Sequence, residues 1–596
     1  MSLIGSLSIR FPTRPQLVTP PQIKPLSICT PPPYPSLQWR PLSLLQRKAI
    51  KSTNSHMYPD VDTKMEEAGG GVKINYTASP ESYERQPGET STHYYARRLI
   101  AVKPMEALAY EASHSGLKRA LGRWDLIFVG IGAIIGTGIF VLSGHAAANN
   151  AGPAVVISFV IAGFASALAA LSYSELAAMI PVAGSAYTYS YATMGEFVAW
   201  IIGWDLILEY AVGAATVAVG WSGYFVAFFS ACGVELSSSW TNSPLGWDEA
   251  AQTFTVDKTG YFNVPGFVVV ILLTILLTIG IRESAMFNNI IVVLKLVVVV
   301  IFIFGSARFV NPANWQPFVP PSTDGDWHHF GVAGIFAAAQ QIFFAYIGFD
   351  AVTTAALESK DPPRDLPIGI IGSLLICTVF YIVVALVLTG VAPYQHLNVK
   401  APIAVAVTIT GQKWLLIIVT LGALAGLTSV MLILLLGQPR IFYSMAKDGL
   451  LPPIFGKLHP RFRTPYVPTI ITGVVTAILG AFLPIDILGN MTSVGTLLAF
   501  FLVHVGVLVL RFTRPDIPRP FKIPGPGYFW MVVPIIGAAT SLLLIVVSET
   551  TTIWRVLIWL ALGLVIYFSY GYWHSKINTD PRSAFEQSGE YEDAVL

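Results

Sequence analysis

The sequence predicts an all-α, polytopic membrane protein, and three observations carry that expectation. Hydrophobic residues make up 54% of the 596 positions and charged residues only 12%, about half the charge that a water-soluble domain carries. Apolar runs recur from Arg123 onward, each close to the ~20 residues that a helix needs to cross a bilayer. The polar connections between those runs alternate between basic and charge-poor, as topology rules require of a multi-span chain.

The elements follow in order. Residues 1–59 contain no Asp or Glu and include the proline-rich run PPQIKPLSICTPPPYP. Proline at this density argues against a packed core. The stretch to residue 118 therefore reads as a cytosolic, largely disordered tail. An organelle transit segment and sequence lying upstream of a start at Met57 or Met65 stay open as alternatives. Twelve or so spans come next: 125–143, 154–180, 197–230, 265–281, 288–308, 331–356, 367–391, 414–437, 467–483, 487–510, 531–547 and 553–573. The third is long enough to be strongly tilted. A polar loop, Ser237 to Tyr261, separates the third from the fourth. Residues 576–596 form a short C-terminal tail. Cys29, Cys232 and Cys377 lack metal-ligand spacing, so neither a disulfide framework nor a thiolate metal site is expected.

Charge orients the spans. With a cytosolic N-terminus, the inner connections collect Lys118, Arg119, Arg123, Arg282, Lys360, Arg364, Arg440, Lys447, Lys457, Arg461, Arg463, Arg511, Arg514, Arg519, Lys522, Lys576 and Arg582. The opposite side holds Lys258, Arg308, Lys400, Lys413 and Arg555. The positive-inside rule then puts both termini in the cytosol, which requires an even number of spans. The plasma membrane is the expected membrane, with a vacuolar or other internal one as the alternative. The formal net charge of +2 gives no footprint for nucleic acid.

The first span contains GIGAIIGTGIF, with glycines at 130, 132, 136 and 138. Glycine costs a helix interior about 1 kcal/mol relative to alanine, so their concentration needs a reason. A dinucleotide-binding loop needs a strand–turn–helix setting and an acid about 20 residues on; the next acid after Gly136 is Glu175. Close helix packing through Gly132 and Gly136 is a second reading. The third is a helix broken near the bilayer midplane at Gly136-Thr137-Gly138. Non-helical backbone at that depth is tolerated where it lines a cavity or is buried in protein. The sixth span carries Tyr346-Ile347-Gly348-Phe349-Asp350 in its middle. Two interrupted spans in corresponding positions of two halves are the sequence mark of an inverted-repeat transporter. The expected domains are 119–308 and 309–512 as the two five-span repeats, then 513–575 as two additional spans.

Together with AGPAVVISFVIAGFASALAALSYSELAAMIPVAGSAYTY, GEFVAWIIGWDLILEYAVGAATVA, FFAYIGFDAVTTAALESKDPPRDLPIGI and QPRIFYSMAKDGLLP, these stretches resemble the amino acid–polyamine–organocation superfamily, and within it the cationic amino acid transporter family. The resemblance runs through most of residues 120–575. Animal and plant cationic members commonly show fourteen spans, so a chain with about twelve departs from them. The resemblance implies a LeuT-like arrangement of five plus five spans followed by two, with a free amino acid bound between spans 1, 3, 6 and 8. Its carboxylate would meet N–H groups around Gly136, Thr137 and Gly138, at the positive end of a half-helix. Its ammonium would meet carbonyls near Ile134, Phe344 and Ala345. Ile347 or Phe349 would wall the pocket.

Ionisable residues inside spans are functional candidates by default. Lys295, in NNIIVVLKLVVVV, matches the lysine that in related proton-coupled transporters stands where sodium-coupled relatives bind a cation. It is expected to make transport sodium-independent and to relay a proton. Glu209, in LILEYAV, is placed by the resemblance near the substrate's side chain, where a carboxylate pairs with a basic group or takes a coupling proton; a helix–helix pair is the bland alternative. Asp350 either caps a half-helix or joins the proton route. Thr428 and Ser429 on span 8 either bond back to their own backbone or meet the Lys295 ammonium. Asp205 is expected nearer the cytosolic end, Glu175 to act as gate or scaffold, and His504 to be a packed polar group. Pro362 and Pro363 are expected to end span 6.

No HExxH, CxxC or GxxxxGK[ST] sequence is present, so an enzyme is not indicated. No cofactor is implied; lipid, protons and free amino acids are the expected partners. The expected function is secondary transport of arginine, lysine or ornithine by alternating access, proton-coupled or as exchange. A neutral amino acid:proton symporter and a non-transporting sensor on the same fold are the alternatives.

Overall fold

A computed structural model describes residues 88–579, apart from 105–107, 109–118, 181–184, 249–252, 257–259, 280–284, 323–327 and 463. The proline-rich segment, Cys29, the two internal methionine starts and the last residues of the C-terminal tail lie outside the described residues.

The expected spans are all helical. Nine apolar helical stretches are long enough to cross a membrane, and two shorter apolar helices, Val264–Ile279 and Tyr466–Phe482, accompany them among the described residues. One of the nine, Gly138–Met179, holds the second half of span 1 together with span 2; the first half of span 1 is Arg123–Ile134. Counted this way, the described residues hold twelve apolar helical segments, in keeping with the expected number. Span 6 lies at the centre: 83% of its apolar stretch is buried, against 22% for each of the last two spans at the rim.

Both glycine-bearing interruptions are real. Span 1 is helical to Ile134, bends at Ile135 and Gly136, and resumes at Thr137. The bend falls one residue earlier than expected. Span 6 is helical over Gly331–Ile342, tightens to a 3-10 turn at Phe343–Tyr346, turns through Ile347–Asp350 and resumes at Ala351–Thr354. Gly348 has φ 112°, a conformation that side-chain-bearing residues rarely adopt.

Several boundaries differ from expectation. Pro362 and Pro363 do not end span 6; they open span 7, Pro362–Val391. Proline suits the first turn of a helix, whose N–H groups have no partner there in any case. Span 8 continues to Lys447 through Pro439, so Arg440 is helical rather than in a loop. A helix, Ser185–Thr193, occupies part of the span 2–3 connection, and another, Pro402–Ile409, precedes span 8. The loop after span 3 contains an antiparallel hairpin, Leu245–Asp248 with Thr253–Val256, registered Trp247 opposite Phe254.

The two described chain ends meet on one face. The buried Glu196 carboxylate, at the start of span 3, accepts hydrogen bonds from Tyr191 (3.0 Å), Tyr567 (2.9 Å), Asn578 (3.0 Å) and Ser575. Arg98 donates to the Tyr572 carbonyl at 2.6 Å and stacks 4.5 Å from the Tyr572 ring. Lys103 pairs with Asp448 at 3.1 Å, and Tyr187 donates to the other oxygen of that carboxylate. An even number of crossings requires this shared face.

Candidate functional site

The two interruptions touch each other. A Cβ on Gly138 would lie 2.1 Å from the Ala345 Cα, and one on Gly348 would lie 2.9 Å from the Ala133 carbonyl carbon. Only hydrogen side chains let spans 1 and 6 cross this closely. The bend also brings span 8 near: a Cβ on Gly136 would meet Val430 at 2.9 Å.

Breaking a helix frees carbonyls at the end of its first half and N–H groups at the start of its second. Side chains claim the carbonyls. Lys295, 1% exposed in span 5, donates to Gly132 O at 2.6 Å and Ile135 O at 3.3 Å. Its aliphatic stem runs past Gly426 of span 8, 3.5 Å from where a Cβ would stand. An ammonium thus sits between spans 1, 5 and 8 on the negative end of a half-helix, where a bound cation would be favoured. Tyr381 of span 7 has its hydroxyl 2.8 Å from Ile134 O and 2.7 Å from Ala345 O. One hydroxyl proton serves both broken spans alternately. Ile134 and Ala345, expected to hold a substrate ammonium, are therefore occupied by Tyr381 in this structure. Sequence reasoning missed Tyr381, because a tyrosine within an apolar span carries no pattern.

The freed N–H groups have a different surrounding. Gly136, Thr137 and Gly138 open the second half of the span, where a helix leaves its first N–H groups without an intrahelical acceptor. The Thr137 hydroxyl is fully buried and has no hydrogen-bond partner. It faces span 3, where Gly220 leaves room beside it. This is the unclaimed polar corner of the site. The Phe344 ring lies near Gly213, two turns earlier on span 3, and Ile347 is buried in the span 6 turn. Phe349 points elsewhere. Its ring packs edge-on against Tyr173 of span 2 (5.5 Å) and against Phe500 of span 10 (5.1 Å), so it belongs to an aromatic cluster behind the break.

Acids gather on the other flank. A π-helical stretch, Leu208–Val212, interrupts span 3 and carries Glu209 and Tyr210; such bulges are frequent at functional sites. Tyr210 donates to Asp350 at 2.8 Å. Asp350 does not cap the short helix after it with its side chain. Glu209 lies within electrostatic reach of Asp350 and Asp205. Both Asp205 oxygens and Oε2 of Glu209 are buried without a hydrogen-bond partner. Asp205, one turn before Glu209 on span 3, is 1% exposed and so buried within the protein. Arg440, on span 8, lies within electrostatic reach of Glu358 and Tyr210.

The remaining candidates resolve simply. The hydroxyls of Thr428 and Ser429 bond their own helix, at Leu424 O (2.7 Å) and Gly426 O (3.0 Å), and Trp221 donates to Thr428 at 2.9 Å. None of these bonds reaches Lys295. Glu175 holds Arg511 through both oxygens and receives the Ile523 N–H. His504 bonds Ser172 at 2.9 Å and packs against Gly537.

Comparison with known proteins adds the family. A family model described as amino acid permease matches residues 121–568. The branched-chain amino acid permease BcaP of Bacillus subtilis (strain 168) is 48% identical over 474 residues, 79% of this chain and 97% of that protein. The methylthioribose transporter of the same bacterium is 42% identical over 80% of this chain and 99% of its own length. The vacuolar cationic amino acid transporter 4 of Arabidopsis thaliana is 40% identical over 67% of this chain and 64% of its own. With its helical spans and paired interruptions, this chain belongs to the amino acid permease family of multi-pass membrane proteins.

Proposed function

We propose that the protein is a sodium-independent secondary transporter of free cationic amino acids, working by alternating access on a five-plus-five inverted repeat with two added spans. The observation that carries this reading is the division of labour at the span 1 break. Lys295 supplies the positive charge on the freed carbonyls, so no sodium ion is needed there. The N–H groups at Thr137 and Gly138, with the unpartnered Thr137 hydroxyl, remain for a substrate carboxylate. Tyr381 would yield Ala345 O and Ile134 O to the substrate ammonium. Glu209, with Asp350 and Asp205 beside it, supplies negative charge for a basic side chain or for a coupling proton.

A second reading has its own support. The branched-chain permease aligns over nearly its whole length, whereas the Arabidopsis cationic transporter extends well beyond the aligned part. Under that reading the substrates are neutral and the acids serve protons alone. Competition separates the two: excess lysine abolishes uptake of labelled arginine under the first, while leucine and alanine do not. Saturable leucine uptake with no arginine uptake would establish the second. A protein that binds amino acid without moving it into vesicles would be a sensor. We propose that both termini are cytosolic, from the bias of basic residues, in a plasma-membrane protein, with a vacuolar or other internal membrane as the alternative.

A further inference from the structure

Span 7 begins beside a groove that the transport site does not use. Its volume is about 660 Å³, in the range of ligand sites. Arg364, Ile368, Ile371 and Gly372 line one side; Pro520 and Phe521, from the loop between spans 10 and 11, line the other. The span 7 residues form a stripe. Positions 364, 368, 371, 375 and 379 recur every three or four residues and so share one helix face. Leu375 and Val379, further along that face, are 59% and 63% exposed. In a membrane span, an exposed apolar stripe meets lipid tails. The groove is thus the end of a lipid-facing surface nearest the start of span 7, and a protein wall has been added to it.

Its rim is basic. Arg364 stands one turn before Ile368 on the same face and is exposed. The facing loop carries Arg514 and the exposed Lys522, with the exposed acids Asp516 and Asp361 nearby; Arg519 is turned inward, its side chain 6% exposed and paired with Glu175 at 3.5 Å. Arg519 donates to the carbonyls of Pro515, Ile517 and Arg514 and so shapes the loop. Lys522, next to Phe521, is exposed. The inner membrane surface attracts such cations through anionic headgroups.

We propose that this groove holds an anionic phospholipid, its phosphate against Arg364 and Lys522 and one acyl chain along Ile368, Ile371 and Leu375. Both charge and apolar depth are needed, which separates a lipid from a free phosphate. The lipid would brace the start of span 7, the helix that carries Tyr381 to the two broken spans.

Native mass spectrometry of the full-length protein tests this, using phosphatidylglycerol and phosphatidylcholine with identical chains. Wild type should retain phosphatidylglycerol in preference to phosphatidylcholine. Arg364→Ala and Lys522→Ala, both at exposed positions, should each weaken that preference about fivefold. Ile371→Trp, which fills the groove and leaves the charges in place, should release the bound lipid. Excess inorganic phosphate should not displace it. Equal retention of the two lipids by wild type would overturn the proposal. So would unchanged preference in both alanine variants, or displacement by phosphate.

Discussion

Lys295 carries the heaviest single burden. Two carbonyls in a dry interior depend on it, and each buried polar group left unpaired costs about 1–3 kcal/mol. Lys295→Met should lower uptake by roughly tenfold or more, the factor that about 1.4 kcal/mol sets in an equilibrium. Initial rates in proteoliposomes measure it, and normal rates would remove Lys295 from the mechanism. Tyr381 acts at the same scale. Tyr381→Phe removes the one proton shared between Ile134 O and Ala345 O. That should lower thermal stability of the purified protein and also uptake, because the two broken spans lose their common tie. Glu209→Gln keeps shape and removes charge. Arginine uptake should fall by about tenfold or more while the melting temperature changes little, since the lost interaction is with a positively charged substrate or proton. Unchanged arginine KM in this variant would detach Glu209 from side-chain recognition.

At the scale of elements, the close crossing of spans 1 and 6 makes a sharp demand on two glycines. Gly138→Ala would drive a methyl group into the Ala345 backbone, and overpacking of this kind costs about 1–3 kcal/mol or more. Gly348→Ala adds backbone strain at φ 112°, again on the order of 1–3 kcal/mol. Both variants should melt lower and transport poorly; wild-type melting in both would mean that the crossing is looser than it looks. These interruptions were legible in the sequence because glycine is conspicuous inside an apolar run and because two runs shared it. Lys295, Glu209 and Asp350 were legible because charge is conspicuous there too. The π stretch at Leu208–Val212 and the role of Tyr381 were not, since both depend on which helix faces which. Pro362 and Pro363 misled for a related reason: proline marks a helix boundary without saying whether a helix ends or begins there. Phe349 showed the same limit, being the right type of residue at the break but turned toward Tyr173 and Phe500.

For the whole molecule, the chain ends and the transport core are joined. Glu196 gathers donors from the span 2–3 connection, from span 12 and from the segment after it. Deleting the residues after Ile566 would leave that buried carboxylate short of partners, and the melting temperature should drop by several degrees. The same joining places both described ends on one face, so epitope tags at the two termini should show the same protease protection in sealed vesicles. The hydropathy pattern located the apolar helices because each span must be apolar over a fixed length. It could not give substrate, since a branched-chain permease and a cationic transporter are both similar to this chain over most of its spans.

The central claim is that opened helix ends hold a free amino acid while a lysine takes the place of a metal cation. Uptake of labelled arginine into proteoliposomes, with sodium replaced throughout by choline and an inward proton gradient imposed, tests it most directly. Saturable uptake that is unchanged by adding sodium and is lost in Lys295→Met is the expected result. Uptake that requires sodium, or that persists at the wild-type rate without the lysine, would contradict it.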